Sequence, residues 1–298
     1  MSGYHQWDQK DHADEWLLFE KNIGEKLSID EVAVSRDELY TIITNKAAHG
    51  GKGALLSIVE GTKCVDIVKV LSHIPENLKQ TVKEVTLDMS NAMDAIVRKA
   101  FPLATIVVDR FHVQKLVTEA VQEMRLILRR EALKNESAEI LLAKKEGTIL
   151  KPYLYENGDT PKQLLARSHY LLFKSETDWT DKQKLRADIL FKQFPKIEHA
   201  YHISMMLRKW YQTNQTKEQA QISLQKWYDK IEEEKIEQFL VVAQTIKAYE
   251  DKILNYFNNR STNASAESFN AKLKGFRALV RGVQDVKFFL FRVAKLYS

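Results

Sequence analysis

The sequence predicts an α/β fold: a mixed sheet of three antiparallel strands and then parallel ones, interrupted by a large all-helical insertion. Three observations predict it. Short apolar runs bounded by turn residues follow one another between residues 26 and 60. From residue 64 to about 115, such runs alternate with helix-like segments. Between Leu116 and Asn258 no segment reads as a strand, and apolar residues recur there at helical spacing.

Residues 1–25 read as a helical lead-in, with Trp16, Leu17, Leu18 and Phe19 available for packing. Leu27 to Val34, Leu39 to Thr44 and Ala54 to Val59 read as strands. The second and third are joined by His49-Gly50-Gly51-Lys52-Gly53, rich enough in glycine for a hairpin turn. Cys64 to His73 and Asn91 to Ala100 read as helices, Lys83 to Asp88 and Ala104 to Asp109 as strands, and a long helix starts near Val113. Strands separated by helices imply right-handed crossovers and a parallel part to the sheet. The order β-β-β-α-β-α-β-α is that of the ribonuclease H-like fold. Its first part spans 26–115, the helical insertion 116–258, and 259–298 completes the core. Within the insertion Phe239, Val242, Ile246, Tyr249, Ile253 and Phe257 make one amphipathic stripe. Gly158-Asp159-Thr160-Pro161 and Phe194-Pro195 mark helix boundaries, with Thr160 as N-cap.

Composition narrows the class. The 298 residues are 44% hydrophobic and 29% charged, which excludes wholesale disorder. No apolar run reaches the roughly 18 residues of a membrane span, and Met1 to Asp14 is too polar for a signal peptide. Cys64 stands alone, so a disulfide framework and a Cys-rich zinc cluster are excluded, and a cytoplasmic location is expected. The net charge of +5 is unevenly placed. Residues 260–298 carry eight Lys or Arg against Glu267 and Asp285, whereas residues 1–31 carry three Lys against eight acids. A basic C-terminal segment suits a polyanionic partner such as DNA.

Chemistry-bearing residues gather at strand ends. Asp30 lies out of phase with Leu27 and Ile29, so it shares the opposite face with Ser28. Asp88 ends Val85-Thr86-Leu87-Asp88, and Asp109 ends Ile106-Val107-Val108-Asp109 ahead of Arg110-Phe111-His112. Sites in open α/β sheets form outside strand ends, although an acid there can also be only the N-cap of the next helix. Near the C-terminus Asn263, Glu267, Asn270 and Lys274 recur at helical spacing as one polar stripe. Carboxylates beside a basic surface suit metal-dependent phosphodiester chemistry, since Mg²⁺ takes oxygen ligands and two such ions can flank an in-line displacement. His112 reads as a residue that orients its neighbours. Arg110 and Lys115 are candidate phosphate contacts.

Five motifs in order resemble the catalytic core of insertion-sequence transposases of the ISL-three group, closest to the ISAon-like subgroup. They are Leu27-Ser28-Ile29-Asp30-Glu31, Val85-Thr86-Leu87-Asp88-Met89-Ser90, Phe101-Pro102-Leu103-Ala104, Asp109-Arg110-Phe111-His112-Val113, and the stretch from Asn263 to Lys274. The resemblance implies a DDE-type recombinase that cuts element ends and joins 3′-hydroxyls to target DNA. It implies that Asp30, Asp88 and Glu267 hold two Mg²⁺ or Mn²⁺ ions, with Asp109 the alternative second Asp or, like His112, a neighbour of the ligands. Arg110, Lys115, Asn263, Asn270, Lys272, Lys274, Arg277 and Arg281 are then the DNA contacts. A separate N-terminal DNA-binding polypeptide and a homo-oligomeric synaptic complex are the expected partners. A non-catalytic DNA-binding derivative is the alternative, with a helical interaction protein behind it.

Overall fold

A computed structural model describes residues 3–35, 38–280 and 284–298. In chain order the elements are β1 (Trp16–Leu18), β2 (Lys26–Ser35), β3 (Glu38–Asn45), β4 (Leu55–Glu60), α1 (Cys64–Leu71), α2 (Glu76–Lys79), β5 (Glu84–Leu87), α3 (Asn91–Ala100) and β6 (Thr105–Val108). There follow α4 (Arg110–Lys145), α5 (Pro161–Arg167), α6 (Asp181–Gln193), α7 (Pro195–Thr213), α8 (Lys217–Glu234), α9 (Glu237–Ala248), α10 (Glu250–Leu254), α11 (Tyr256–Asn259), α12 (Ala264–Leu279) and α13 (Val286–Tyr297).

One mixed sheet has the order β1-β4-β3-β2-β5-β6. The pairs β1/β4, β4/β3 and β3/β2 are antiparallel; β2/β5 and β5/β6 are parallel. Apart from β1, this is the arrangement of a ribonuclease H-like sheet. The antiparallel part has four strands rather than three, and the lead-in is not helical. Trp16, Leu17 and Leu18 pair with Val59, Ile58 and Ser57. Only single 3-10 turns, Lys10–His12 and Glu20–Asn22, flank them. Three residues are too few to show a period of two in sequence, so this strand is fixed by its partner β4 rather than by its own pattern.

Side-chain alternation along β2 decides the two faces. Leu27 and Ile29 face one way, buried with Val85 and Leu87 of the neighbouring strand. Ser28, Asp30 and Val32 face the other. On that second side Val32, Tyr40, Ile42, Leu55 and Ile58 pack with Phe269 and Leu273 of α12 and with Phe289, Leu290 and Val293 of α13. Helices α1 and α3 pack on each other and on β4 and β5.

The chain divides into two compact units, residues 1–110 with 251–298, and residues 111–250. Every regular element described within 111–250 is helical. There Thr160 precedes Pro161 at the start of α5, its N–H held by Gln163 Oε1 at 3.0 Å. Pro195 opens α7. Asp159, fully buried, accepts from Arg186 at 2.9 Å, from Arg167 and from Asn157. The stripe from Phe239 to Phe257 is not one helix. The chain breaks at Tyr249 and again at Asn255, giving α9, α10 and α11, and the first break lies beside the border of the two units. Among the described residues no helix is long and apolar enough to cross a membrane.

Candidate active site

Three acids stand at the ends or edge of neighbouring parallel strands. The register pairs Ser28 with Thr86 and Leu87 with Val108. Continued two residues, it sets Asp30 level with Asp88; continued one residue, it sets Asp88 level with Asp109. The ladder does reach Asp109, whose N–H donates to Leu87 O at 2.9 Å. Asp30 thus lies on β2, Asp88 directly after β5 and Asp109 directly after β6, three neighbouring parallel strands. Asp30 and Asp88 are half-buried and Asp109 is buried. Asp88 does not cap α3, because Ser90 does, its Oγ accepting from Met93 N. Asp109 directly precedes α4.

Helix α12 lies over this face through Phe269 and Leu273, and it brings Asn270 to Asp30. Asn270 Nδ2 donates to Asp30 Oδ2 at 2.5 Å, and Glu31 N donates to Asp30 Oδ1 at 2.8 Å. Asn263, at the start of the same helix, is 1% exposed and Asn270 is 8% exposed. Neither amide atom of Asn263, nor Asn270 Oδ1, has a hydrogen-bond partner among the described residues. Buried polar atoms left so are costly and mark places where a further polar group belongs. The donors here, carboxylates and amide oxygens, suit a hard divalent cation, so the site's chemistry fits Mg²⁺ or Mn²⁺. Glu267 is exposed on the first turn of α12, and among the described residues no three His, Cys, Asp or Glu side chains gather closely enough to hold a metal ion. The turn of α12 that meets β2 is that of Asn270, one turn beyond Glu267. The side chains thus join Asp30 to Asn270.

A second polar cluster on the same face escapes a reading by motif. Lys46, in the turn after β3, donates to Thr86 Oγ1 at 2.7 Å and to Ser261 Oγ, and pairs with Glu84 at 3.4 Å. Asn259 Nδ2 donates to Glu84 Oε2 at 2.6 Å. Burial would raise the Glu84 pKa, but donors from Ser261 and Asn259 and the Lys46 charge outweigh it and hold the carboxyl below its ordinary range. For Lys46 burial wins, and its pKa falls despite Glu84. The signal for this cluster was an acid, Glu84, opening a short apolar strand; such a group needs a cationic partner, and sequence alone does not say which.

Residues 27–293 match the family model described as Transposase, of the DDE, ISL3 type. The chain belongs to this transposase family. It is also 21% identical over 272 residues to the transposase for insertion sequence element IS1001 of Bordetella parapertussis, covering 90% of this chain and 60% of that protein. It therefore spans about three fifths of that curated relative. No solved structure matches.

In this transposase-family chain the expected DNA contacts part company. Lys274 is exposed on α12. Lys272 is exposed but donates to Gly50 O at 2.9 Å. Arg110 is exposed, with Nη1 donating to Tyr256 Oη at 3.1 Å and its guanidinium 5.8 Å from that ring's centre. Lys115, in the helical unit, lies 3.8 Å from Glu119. There too His112 meets the Phe111 ring edge-on at 5.5 Å. The Arg277 guanidinium pairs with both oxygens of Glu38 and lies 4.9 Å from the Phe289 ring centre. Asn263 and Asn270 are buried. Arg281 lies outside the described residues.

Proposed function

We propose that the chain is the catalytic part of a DNA transposase that cuts element ends and joins their 3′-hydroxyls to target DNA. The observation that carries this reading is the hydrogen bond to Asp30 from Asn270, on the helix that bears Glu267, with Asp30 on a strand parallel to the one that Asp88 follows. Asp30, Asp88 and Glu267 would hold two divalent cations, Mg²⁺ or Mn²⁺, with Asp109 beside them. When bound, the pair would supply Lewis-acid charge on both sides of an in-line displacement at phosphorus. Asn270 and the Glu31 N–H fix the Asp30 carboxylate, one oxygen each, so its orientation is set before substrate arrives. Lys274 and Arg110 present positive charge to phosphates, a salt-sensitive and sequence-independent contribution. Reading of element ends would fall to a separate DNA-binding polypeptide, and two copies would bring two ends together. The work would take place in the cytoplasm, on the nucleoid.

Glu267→Ala tests this. Glu267 is exposed, so the fold should be unaffected, within about 0.5 kcal/mol. Strand transfer with Mn²⁺ should fall to background. Joining retained by this variant would sink the assignment. A second reading, a DNA-binding protein without catalysis, keeps the exposed cations Lys274 and Arg110 as its contacts. It requires that the unaltered chain bind DNA and neither cut nor join it with either metal.

A further inference from the structure

The hairpin joining β3 to β4 touches α12 and the segment before it at two points. At one end Lys46 reaches Glu84, Thr86 and Ser261. Ser261 lies two residues before Asn263, and its own N–H donates to Asn259 Oδ1 at 3.0 Å. At the other end Gly50, at φ 69°, lies so close to α12 that a Cβ would stand 3.1 Å from Ser265 O. Lys272 Nζ donates to Gly50 O at 2.9 Å. A buried lysine with only 11% of its side chain exposed is expensive to keep in a fold. Its hydrogen bonds go to two places: β5, the strand that Asp88 directly follows, and the segment that leads into α12.

From these contacts we infer that Lys46 is a positioning residue: through Ser261 and Glu84 it locks the start of α12, and hence Glu267, to the strand that delivers Asp88. The inference rests on the transposase reading for its consequence, not for its geometry. Lys46 has no catalytic duty in it, because its ammonium is spent on Glu84, Thr86 and Ser261. The clamp converts the position of a hairpin turn into the position of a helix whose first turn would otherwise fray, since a helix start is anchored only by what caps or holds it.

The test uses Lys46→Met and, because that variant strands Glu84 and may fail to fold, Ser261→Ala, which keeps the Lys46–Glu84 pair. Amide exchange is read on the full chain without metal. Residues 263–270 should exchange at least about tenfold faster in both variants, while α13 and the 111–250 unit are unchanged. In the metal-loaded reaction, strand transfer should drop by about tenfold or more with the Kd for DNA held within about twofold, the signature of a lost arrangement rather than lost binding. Adding Glu84→Gln to Lys46→Met should restore thermal stability without restoring joining. Unaltered exchange at 263–270 in Ser261→Ala overturns the clamp even if the chain is a transposase. Faster exchange there, with Glu267→Ala still fully active, keeps the clamp and rejects the catalytic reading.

Discussion

Ser90 and Asp88 illustrate how a single neighbour assigns a role. Because Ser90 caps α3, the N-cap role that an acid after a strand often takes falls to Ser90 and not to Asp88. Asp109 is 2% exposed and directly precedes α4, whereas Asp88 is half-buried. The two substitutions should therefore separate. Asp88→Asn is expected to abolish joining with little change in Tm. Asp109→Asn is expected to lose about 1–3 kcal/mol of stability, a Tm drop of several degrees. Joining assays and thermal melts on both check this. Survival of joining in Asp88→Asn and its loss in Asp109→Asn would transfer the role of second Asp to Asp109. From sequence the two acids look alike, each ending an apolar strand, and only the cap distinguishes them.

Helix α12 shows why a polar stripe cannot be sorted by spacing alone. Asn263, Glu267, Asn270 and Lys274 share one side of the helix, yet the two asparagines are buried while Glu267 and Lys274 are exposed. The helix tilts one part of its stripe onto β2 and leaves the rest in water. Arg277, seven residues beyond Asn270, continues the stripe to β3, where Glu38 takes both sides of its guanidinium. With side-chain exposures of 12% and 16%, this pair is shielded enough to matter. Arg277→Met should cost about 1.5–3 kcal/mol and leave the salt dependence of DNA binding unchanged. Lys274→Ala should instead weaken binding to all sequences alike and reduce the slope of log K against log salt by about 1. Equal slopes for the two variants would return Arg277 to the DNA surface.

Across the whole molecule, each compact unit contains a buried carboxylate held ionised by its partners. In the mixed-sheet unit it is Glu84, tied to Ser261, Asn259 and Lys46. In the helical unit it is Asp159: burial pushes its pKa up, but bonds from Arg186 and Arg167 and their charges push it further down. A folded pKa below the unfolded one means that the stabilisation is fully present above the ordinary carboxylate pKa of about 4 and is lost as pH falls through the folded value. Acid unfolding should accordingly steepen below about pH 4. Asp159→Asn should be less stable at neutral pH and show a flatter loss below that point, measured by denaturant melts across the pH range. Parallel curves for the variant and the parent would show that Asp159 does not titrate on unfolding.

Strand order and the identity of the strand-end acids were determined by the sequence itself. Period-two alternation in Leu27 to Val34, glycines in the hairpin and helix-length segments between later strands are local signals, and a parallel crossover leaves few topologies open. Local signals also marked Thr160-Pro161 and Phe194-Pro195, because caps and proline act on their own neighbours. Tertiary structure alone decided the rest. β1 exists only because β4 pairs with it, and the stripe from Phe239 to Phe257 breaks where the two units divide. Lys46 meets Glu84 across 38 positions and Ser261 across 215, and Arg277 meets Glu38 across 239. A charge written in sequence has no partner until the fold supplies one, and in this chain the partner decides whether it is a tie, a clamp or a surface offered to DNA.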